Sequence, residues 1–246
     1  DHVSRTRAAR SCNAFVRCLA STVFVCVTAF VHAAPGDLDT SFGAGFGKVL
    51  LPRAEYDQAA AVAVQPDRKI LVAGQCTASS GANPPWVFCV VRLLESGAPD
   101  PAFGVNGVTT TEVAGTSVST PRNSMALLAN GKIVVSGSCY DSASQRNQLC
   151  LARLHQDGSL DTAYGTNGIA KIAWGTQSIL MQGMALQTDD HVVVGATCTP
   201  PGAIGEQKNL CAIRVTPTGQ LDTTFGFLGG VGAQILYTNE AGDVAI

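Results

Sequence analysis

The sequence has few charged residues and few of the side chains that bind metals. Charged residues make up 14% of the 246-residue chain, which holds only four histidines. No CxxC pair occurs, so the usual ligands of a structural zinc site are missing. The phosphate-loop pattern GxxxxGK[ST] and the nucleophile-elbow pattern GxSxG are also absent. We therefore expect no metal, no cofactor and no catalytic constellation of these common types.

The N-terminal segment 1–33 has the order of a secretory signal peptide. Four arginines precede an apolar run at positions 19–31, and the small residues Ala33 and Ala34 follow. This run is too short to span a bilayer comfortably, which favours a cleaved leader over a membrane anchor. We expect cleavage after Ala33 and an exported protein, located in the periplasm, on the cell surface or outside the cell.

The remaining chain, residues 34–246, is mildly acidic. It has 12 basic and 17 acidic residues and a net charge of −5. Nucleic-acid binding requires a positively charged surface, and no basic stripe is present, so we expect no nucleic-acid partner. We also expect no membrane span once the leader is removed.

One segment returns at a fixed interval along the chain. LDTSFG at positions 38–43 recurs as PDPAFG at 99–104, LDTAYG at 160–165 and LDTTFG at 221–226, so the period is 61 throughout. A fixed period in this range is typical of an array of identical supersecondary units. Each copy holds one aspartate and one aromatic residue: Asp39 and Phe42, Asp100 and Phe103, Asp161 and Tyr164, and Asp222 and Phe225.

Each repeat contains four short apolar segments that are typical of strands. In the first repeat they lie at residues 48–51, 59–64, 70–73 and 87–94, separated by turn residues and without a helical period. A repeated four-stranded meander is the pattern of a β-propeller blade. The sequence therefore predicts an all-β, β-propeller-like array of four-stranded antiparallel blades. The expected blades are at about 47–94, 108–155 and 169–216, with a partial fourth at 231–246.

Three complete blades and a fraction are fewer than the four to eight that close a propeller. We therefore expect an incomplete or open array. Two explanations are open: the sequence is a fragment of a longer repeat protein, or several chains self-assemble to complete a propeller.

The cysteines follow the same repeat. Three of the nine lie in the leader, and the other six form three pairs with similar separations of 13, 11 and 13. In each pair the first cysteine ends the third strand and the second begins the fourth, and such positions face each other across a hairpin. In an exported chain this pattern predicts one disulfide per repeat, each contributing on the order of 3 kcal/mol. The expected bonds are Cys76–Cys89, Cys139–Cys150 and Cys198–Cys211.

The repeated units resemble the tandem delta-60 repeats of bacterial exported proteins. The resemblance rests on LDTSFG, VAVQPDRKILVAG and VVRL with their later copies, and it extends over about residues 36–246. Its most specific motifs are the LDxxFG turn and the PDGK-like corner, where Arg68 stands in the place of the usual glycine. The resemblance implies a β-propeller fold and an uncharacterised activity. The cysteine pairs are not part of it.

The repeated charged residues are the candidates for a site. Calcium would need several oxygen ligands from one loop, and few of these turns offer a second acid. We therefore expect each aspartate to hydrogen-bond its own turn, with the aromatic ring between neighbouring blades. Three arginines recur with the same period, and we expect them to pair with the aspartates rather than to line a ligand surface. They are Arg92, Arg153 and Arg214.

The expected function is that of an exported, non-enzymatic scaffold whose disulfide-stapled loops bind a protein or glycan. The alternative is a propeller-type hydrolase or lyase with its active site in parts absent from this chain. A catalytic propeller should break the repeat symmetry with His, Glu or Tyr on an inner strand. Taking residues 48–51, 108–113 and 170–174 as inner strands, only Glu112 stands out.

Overall fold

A computed structural model describes residues 36–51, 57–78, 84–114, 116–175, 177–201, 208–226 and 229–233. The predicted signal peptide at 1–33 and the residues beyond 233 lie outside this part of the chain. From Leu38 onward, the described residues belong to one unit. All their regular secondary structure is β-strand, so they include no helix that could cross a membrane.

The strands form three antiparallel sheets, each of which is a meander. Sheet 1 consists of β1 (Asp57–Val64), β2 (Ile70–Thr77), β3 (Trp86–Leu93) and β4 (Val108–Thr111). Sheet 2 consists of β5 (Val118–Ser119), β6 (Met125–Leu127), β7 (Ile133–Asp141), β8 (Arg146–Leu154) and β9 (Ile169–Ile172). Sheet 3 consists of β10 (Leu180–Leu186), β11 (Val192–Cys198), β12 (Asn209–Val215) and β13 (Gly230–Ala233). This confirms the predicted fold class: an open, β-propeller-like array.

The sheets do not begin and end at the boundaries of the units that were predicted from the sequence. Each short strand that was assigned to the start of a unit pairs with the last long strand before it: β4 with β3, β9 with β8 and β13 with β12. Residues 230–233 therefore complete sheet 3 instead of starting a fourth blade, and residues 48–51 form no strand. The sheets span 57–111, 118–172 and 180–233, in place of the predicted 47–94, 108–155 and 169–216. A period gives the spacing of equivalent residues but leaves open where one sheet ends.

The first strand of each sheet is irregular at the same place. The pairing register shifts between Ala59 and Ala61 in sheet 1, and between Met181 and Gly183 in sheet 3. In sheet 2 the irregularity is larger, and the strand is divided into β5 and β6, which both pair with β7. Pro121 lies in this gap and has no N–H to donate to a neighbouring strand. β5 and β6 are therefore two pieces of one broken first strand.

These first strands are the inner strands of the array. The backbone N–H of Asn123, between β5 and β6, donates to the carbonyl of Ala60 in sheet 1 (3.2 Å). The N–H of Met184 in sheet 3 donates to the carbonyl of Asn123 (3.1 Å). Blades of a propeller converge at their inner strands around the central axis. The residues of β4 and β9 were predicted from the sequence to form inner strands; this is wrong, because both strands lie at the opposite, outer edge of their sheets.

Sheet 2 is packed on both faces. Consecutive strand residues point to opposite faces, and Val134 and Val135 on β7 show this directly. Val135 joins a buried cluster with Phe88 of sheet 1, and Val134 joins a second cluster with Ile213 of sheet 3. The long, nearly continuous apolar runs of the middle strands thus supply two cores at once.

Side chains on the faces of sheets 1 and 3 that point away from sheet 2 are more exposed than the equivalent side chains that lie between two sheets. Val62 is 70% exposed, whereas Met125, its equivalent in sheet 2, is 8% exposed. At the other end, Leu210 is 40% exposed and its equivalent Leu149 is fully buried. Within the described residues the array is therefore open on both sides.

Because sheet 2 is packed on both faces and sheet 1 on only one, equivalent valines in the two sheets should contribute differently to stability. Val135→Ala should lower the free energy of unfolding by about 2 kcal/mol, because it leaves a cavity between sheets 1 and 2. Val72→Ala, at the equivalent but half-buried position in sheet 1, should cost less than about 1 kcal/mol. Urea unfolding at neutral pH measures both values, and equal losses would contradict the packing of sheet 2 on sheet 1.

Candidate functional site

Each sheet carries an arginine, an aspartate and an aromatic ring in one contact group, which we name the brace. The arginine Nε donates to the aspartate Oδ2 at 2.8, 2.6 and 2.7 Å in the three braces. The guanidinium also lies over the ring, 4.6, 4.5 and 4.7 Å from its centroid. The three braces are Arg92–Asp100–Phe103, Arg153–Asp161–Tyr164 and Arg214–Asp222–Phe225.

Local backbone geometry brings these residues together. In the second brace, Arg153 lies near the end of β8, and the N–H of Asp161 donates back to the carbonyl of Arg153 (2.8 Å). The N–H of Tyr164 then donates to the carbonyl of Asp161 (3.0 Å), which closes the turn. Asp161 Oδ1 accepts from the N–H of Ala163, so one oxygen serves the turn and the other the arginine. The tight turn after β8 thus brings Asp161 and Tyr164 back to Arg153 on the strand.

The first two braces also connect their sheets to the following repeat. Arg92 donates from its Nη1 to the carbonyl of Gln156, and Arg153 does the same to the carbonyl of Pro217. The N–H of Gly104 donates to the carbonyl of Asp157 at 2.7 Å, and Gly165 makes the equivalent bond at 2.9 Å. The first two brace turns are therefore docked on the turn that follows the last long strand of the next sheet.

The first copy of the turn has no arginine. Asp39 accepts from the N–H of Ser41 (2.9 Å) and from its hydroxyl (2.6 Å), and it is exposed. The position one period before Arg92 holds Val31, which cannot supply a guanidinium. Phe42 is half-buried, and Gly43 still donates to the carbonyl of Ser96. Docking of the turn is thus retained where the ion pair is absent.

A further basic side chain reaches each brace aspartate from the corner that precedes β2, β7 or β11. Lys69 Nζ lies 3.2 Å from Asp100, Lys132 Nζ lies 2.8 Å from Asp161, and His191 Nε2 lies 3.6 Å from Asp222. This second contact was not anticipated from the sequence. The alignment of Lys69 and Lys132 in the PDRK and ANGK corners was the signal that could have revealed it.

These contacts set the charge state of the aspartates. Burial by itself would raise the pKa of Asp161, but hydrogen bonds from Lys132 and Arg153 outweigh it and lower this pKa to about 2. The pKa of Asp222 is also lowered to about 2, mainly because it accepts a hydrogen bond from the Thr224 hydroxyl. Both carboxylates are therefore ionised and surrounded by donors, which makes them poor proton acceptors. Their arrangement suits structural bracing better than acid–base chemistry.

Sequence reasoning missed the glycines that receive the aromatic rings. Gly97, Gly158 and Gly219 recur with the period of the braces and have φ of +86°, +86° and +82°. A Cβ on Gly158 would lie 2.5 Å from Thr109 Oγ1 and 3.0 Å from Phe103 Cε2. The space for the rings of Phe42, Phe103 and Tyr164 therefore depends on a glycine in the next repeat, and the shared period was the available signal.

The three predicted disulfides are present, with Cα–Cα distances of 5.8, 5.8 and 6.0 Å. They cross their hairpins diagonally, since Cys76 lies opposite Val87 and Cys89 lies opposite Gly74. All six cysteines are buried. The bonds are Cys76–Cys89, Cys139–Cys150 and Cys198–Cys211.

The disulfides and the braces lie at opposite ends of the long strands. β7 and β8 run from the brace end to the hairpin that joins them, and we name this second end the hairpin end. In sheet 2 the tip of the hairpin, residues 142–145, is exposed, and Asp141 accepts from the N–H (3.0 Å) and hydroxyl (2.5 Å) of Ser144. Because the braces of sheets 1 and 2 contact the brace end of the next sheet, the hairpin ends of the three sheets lie at the same end of the array.

The large clefts offer no metal site. Within the described ranges, no group of three or more His, Cys, Asp or Glu residues could hold a metal ion. A cleft of about 670 Å³ opens between the brace ends of sheets 1 and 2, and Lys69 and Arg92 line it. Both of these cations already contact Asp100. This cleft is therefore part of the first brace.

Comparison with known families supports the fold. A family model described as a β-propeller domain of unknown function (DUF5122) matches residues 65–103 and 128–164. The two segments are structurally equivalent, because each begins at the corner before a long strand and ends on a brace aromatic, Phe103 or Tyr164. None of the curated proteins matches the chain. The chain is thus similar to a propeller domain over the residues that build β2, β3, β7, β8 and the first two braces.

The second brace should be important for stability. Arg153→Ala removes the main partner of a buried carboxylate and should lower the free energy of unfolding by about 3 kcal/mol at pH 7. As a matched control, Arg68→Ala removes an exposed ion pair with Glu95 and should change it by less than about 0.5 kcal/mol. Urea unfolding measures both variants.

The effect of Arg153→Ala should also depend on pH. The lowered pKa of Asp161 means that its contribution to stability is present above pH 4 and is lost as the pH falls towards about 2. The difference in free energy of unfolding between the wild type and Arg153→Ala should therefore become smaller over that range. A difference independent of pH would show that the arginine acts by packing alone.

The receiving glycine provides a test of docking between repeats. Gly158→Ala combines a positive φ with a collision at Thr109 and Phe103, and we expect a loss of about 3 kcal/mol. Gly45→Ala is the control, because Gly45 has φ of +100° but no neighbour within 4 Å of the added Cβ. That variant should lose only about 1 kcal/mol of unfolding free energy, the cost of placing an alanine at a positive φ. Similar thermal unfolding of the two variants would contradict the role of the receiving turn.

Proposed function

We propose that this chain is an exported, non-enzymatic binding module of the delta-60 repeat type, and that its hairpin end binds a protein or glycan in the periplasm or at the cell surface. The observation that carries this proposal is the division of the molecule into two ends. The brace end repeats its residues from sheet to sheet, whereas the hairpin end varies.

The hairpin ends combine a fixed base with a variable tip. The cysteines beneath each tip are buried and bonded, so the strands hold their positions regardless of the residues between them. The sequences between the cysteine pairs share little: TASSGANPPWVF, YDSASQRNQL and TPPGAIGEQKNL. Variable segments on a rigid scaffold are a common arrangement for binding surfaces.

The disulfides also support export. Stable disulfides form in oxidising compartments such as the periplasm and the extracellular space. The predicted signal peptide leads to the same compartment. A location outside the cytoplasm gives the module access to envelope glycans and surface proteins.

The non-enzymatic part of the proposal rests on the state of the ionisable groups. The repeated aspartates are engaged by arginine and by lysine or histidine in every brace. The histidines of the predicted mature chain, His155 and His191, lie at the brace end and contact brace aspartates. These groups support the scaffold and leave the variable end without a histidine in its described residues.

Binding to cell envelopes of the source organism tests the proposal. The oxidised protein should bind saturably, and Ser142→Arg at the exposed hairpin tip should weaken binding by about tenfold or more. Thr188→Arg is the matched control, because Thr188 is equally exposed but lies at the brace end. That variant should bind as the wild type does.

Two results would contradict the proposal. Equal weakening by both substitutions would show that the hairpin end has no special role. Release of soluble sugar or peptide from the envelopes by the purified protein would show that it is an enzyme.

A further inference from the structure

A groove lies at the hairpin end between sheets 1 and 2. It has a volume of about 480 Å³, within the usual range for clefts that bind small ligands. The buried residues Val87 and Val113 form part of its wall, and Pro85 borders it. Glu112, directly after β4, and Tyr140, near the end of β7, supply its larger polar side chains.

Glu112 and Tyr140 break the repeat. The position equivalent to Glu112, directly after β9, is Ala173. Tyr140 follows the first cysteine of its pair, where the other two sheets have Thr77 and Thr199, both buried. Tyr140 is instead 47% exposed. Residues that serve the array recur in every copy, so two exposed departures in one groove indicate a role outside the fold.

A third residue of the groove, Val113, also departs from the repeat. Trp174 is the equivalent of Val113, and its side chain is buried in the core between sheets 2 and 3. It lies against the backbone of β13, where a Cβ on Gly230 would come within 2.7 Å of the indole. The groove wall thus carries a small valine where the next repeat carries a tryptophan.

The backbone around the groove is already hydrogen-bonded. Thr116 Oγ1 accepts from the N–H of Tyr140 (3.0 Å) and donates to the carbonyl of Ser117 (3.2 Å). Ser117 Oγ accepts from the N–H of Trp86 (3.2 Å), which leaves its own proton free to donate. These contacts fix the shape of the groove before any ligand enters.

The polar groups that face the groove remain available. Within the part of the chain that the structure describes, the Glu112 carboxylate forms no ion pair, and it is exposed. An ionised carboxylate only accepts hydrogen bonds, and it can take two from adjacent hydroxyl groups. The Tyr140 ring offers an apolar face with a hydroxyl at its edge. The groove thus combines an aromatic face, a two-oxygen acceptor and a hydroxyl donor.

We propose that this groove binds a neutral pyranose unit of a glycan, which names the partner class for the proposed binding role and rests on it. The apolar C–H face of the sugar stacks on the Tyr140 ring. Two neighbouring sugar hydroxyls donate to the Glu112 carboxylate, and the Ser117 hydroxyl donates to a sugar oxygen. Each contact uses a side chain that lines the groove.

Other ligand classes fit less well. No lysine or arginine lines the groove, and the neighbouring Lys171 Nζ already donates to the carbonyl of Ala114 (3.3 Å), so an anion in the groove would face the negative charge of Glu112. A peptide that adds as a strand needs free backbone donors along an edge. The N–H groups of Trp86 and Tyr140 are already taken by Ser117 and Thr116. A neutral polyhydroxylated ligand is therefore favoured over an acidic ligand or an extended peptide.

The repeat itself supplies the variants for a test. Tyr140→Thr and Glu112→Ala introduce residues that the equivalent positions already carry, so both should fold and melt as the wild type does. Saturation-transfer NMR titrations of the oxidised protein would use the methyl glycosides of glucose, galactose, mannose and N-acetylglucosamine. Glucuronate and lysine amide are the charged comparison probes.

At least one neutral glycoside should bind the wild type, and the charged probes should not compete with it. Each variant should weaken that binding by about tenfold or more, as expected for the loss of a stacking face or of a charge-assisted hydrogen bond. Tyr140→Phe keeps the ring and should change affinity by less than about threefold. Failure of every neutral glycoside to bind, preferential binding of a charged probe, or wild-type affinity in Tyr140→Thr would overturn the assignment.

The two proposals can fail separately. Envelope binding that Ser142→Arg weakens but Tyr140→Thr and Glu112→Ala leave unchanged would retain the binding module and reject the sugar site. Wild-type protein that does not bind envelopes would reject the proposed function itself.

Discussion

The ion pair between a strand arginine and the aspartate of the following turn is the directional contact that all three sheets share. Apolar sheet faces attract each other without direction, so burial alone does not set how one sheet is placed on the next. The arginine adds direction, because Nε of Arg153 is held by Asp161 while Nη1 reaches the carbonyl of Pro217 in the next repeat. The ring of Tyr164 lies beneath the guanidinium and against the receiving turn. One side chain thereby links a strand, its own turn and the neighbouring repeat.

This arrangement leaves the other end of each sheet free to change. The braces and their receiving glycines are confined to the brace end, and the hairpins at the opposite end are closed by buried disulfides. A substitution at a hairpin tip therefore has no ion pair or docking contact of the brace to disturb. The two residues that depart most clearly from the repeat at this end, Glu112 and Tyr140, border the same groove.

The sequence analysis identified the strands more reliably than their grouping. Alternating and continuous apolar segments are local signals, so β2, β3, β7, β8, β11 and β12 could be placed closely from sequence. The assignment of β4 and β9 to the wrong sheet edge has a simple cause. In a periodic chain, every choice of starting point gives equally regular units, and only the hydrogen bonds between strands select one. The inner strands were misassigned for the same reason.

The sequence by itself determined the all-β repeat, its fixed period and the three cysteine pairs. The strands and the cysteine pairs are patterns within one repeat, and the period is the spacing at which these patterns recur. The sequence also singled out the arginines, aspartates and aromatics that meet in the braces. Only the tertiary structure decided which strands share a sheet, which glycine receives each ring and that Glu112 and Tyr140 lie beside one groove. Those relations join residues of different repeats. A period describes what the repeats have in common, whereas the contacts between repeats depend on how the sheets pack.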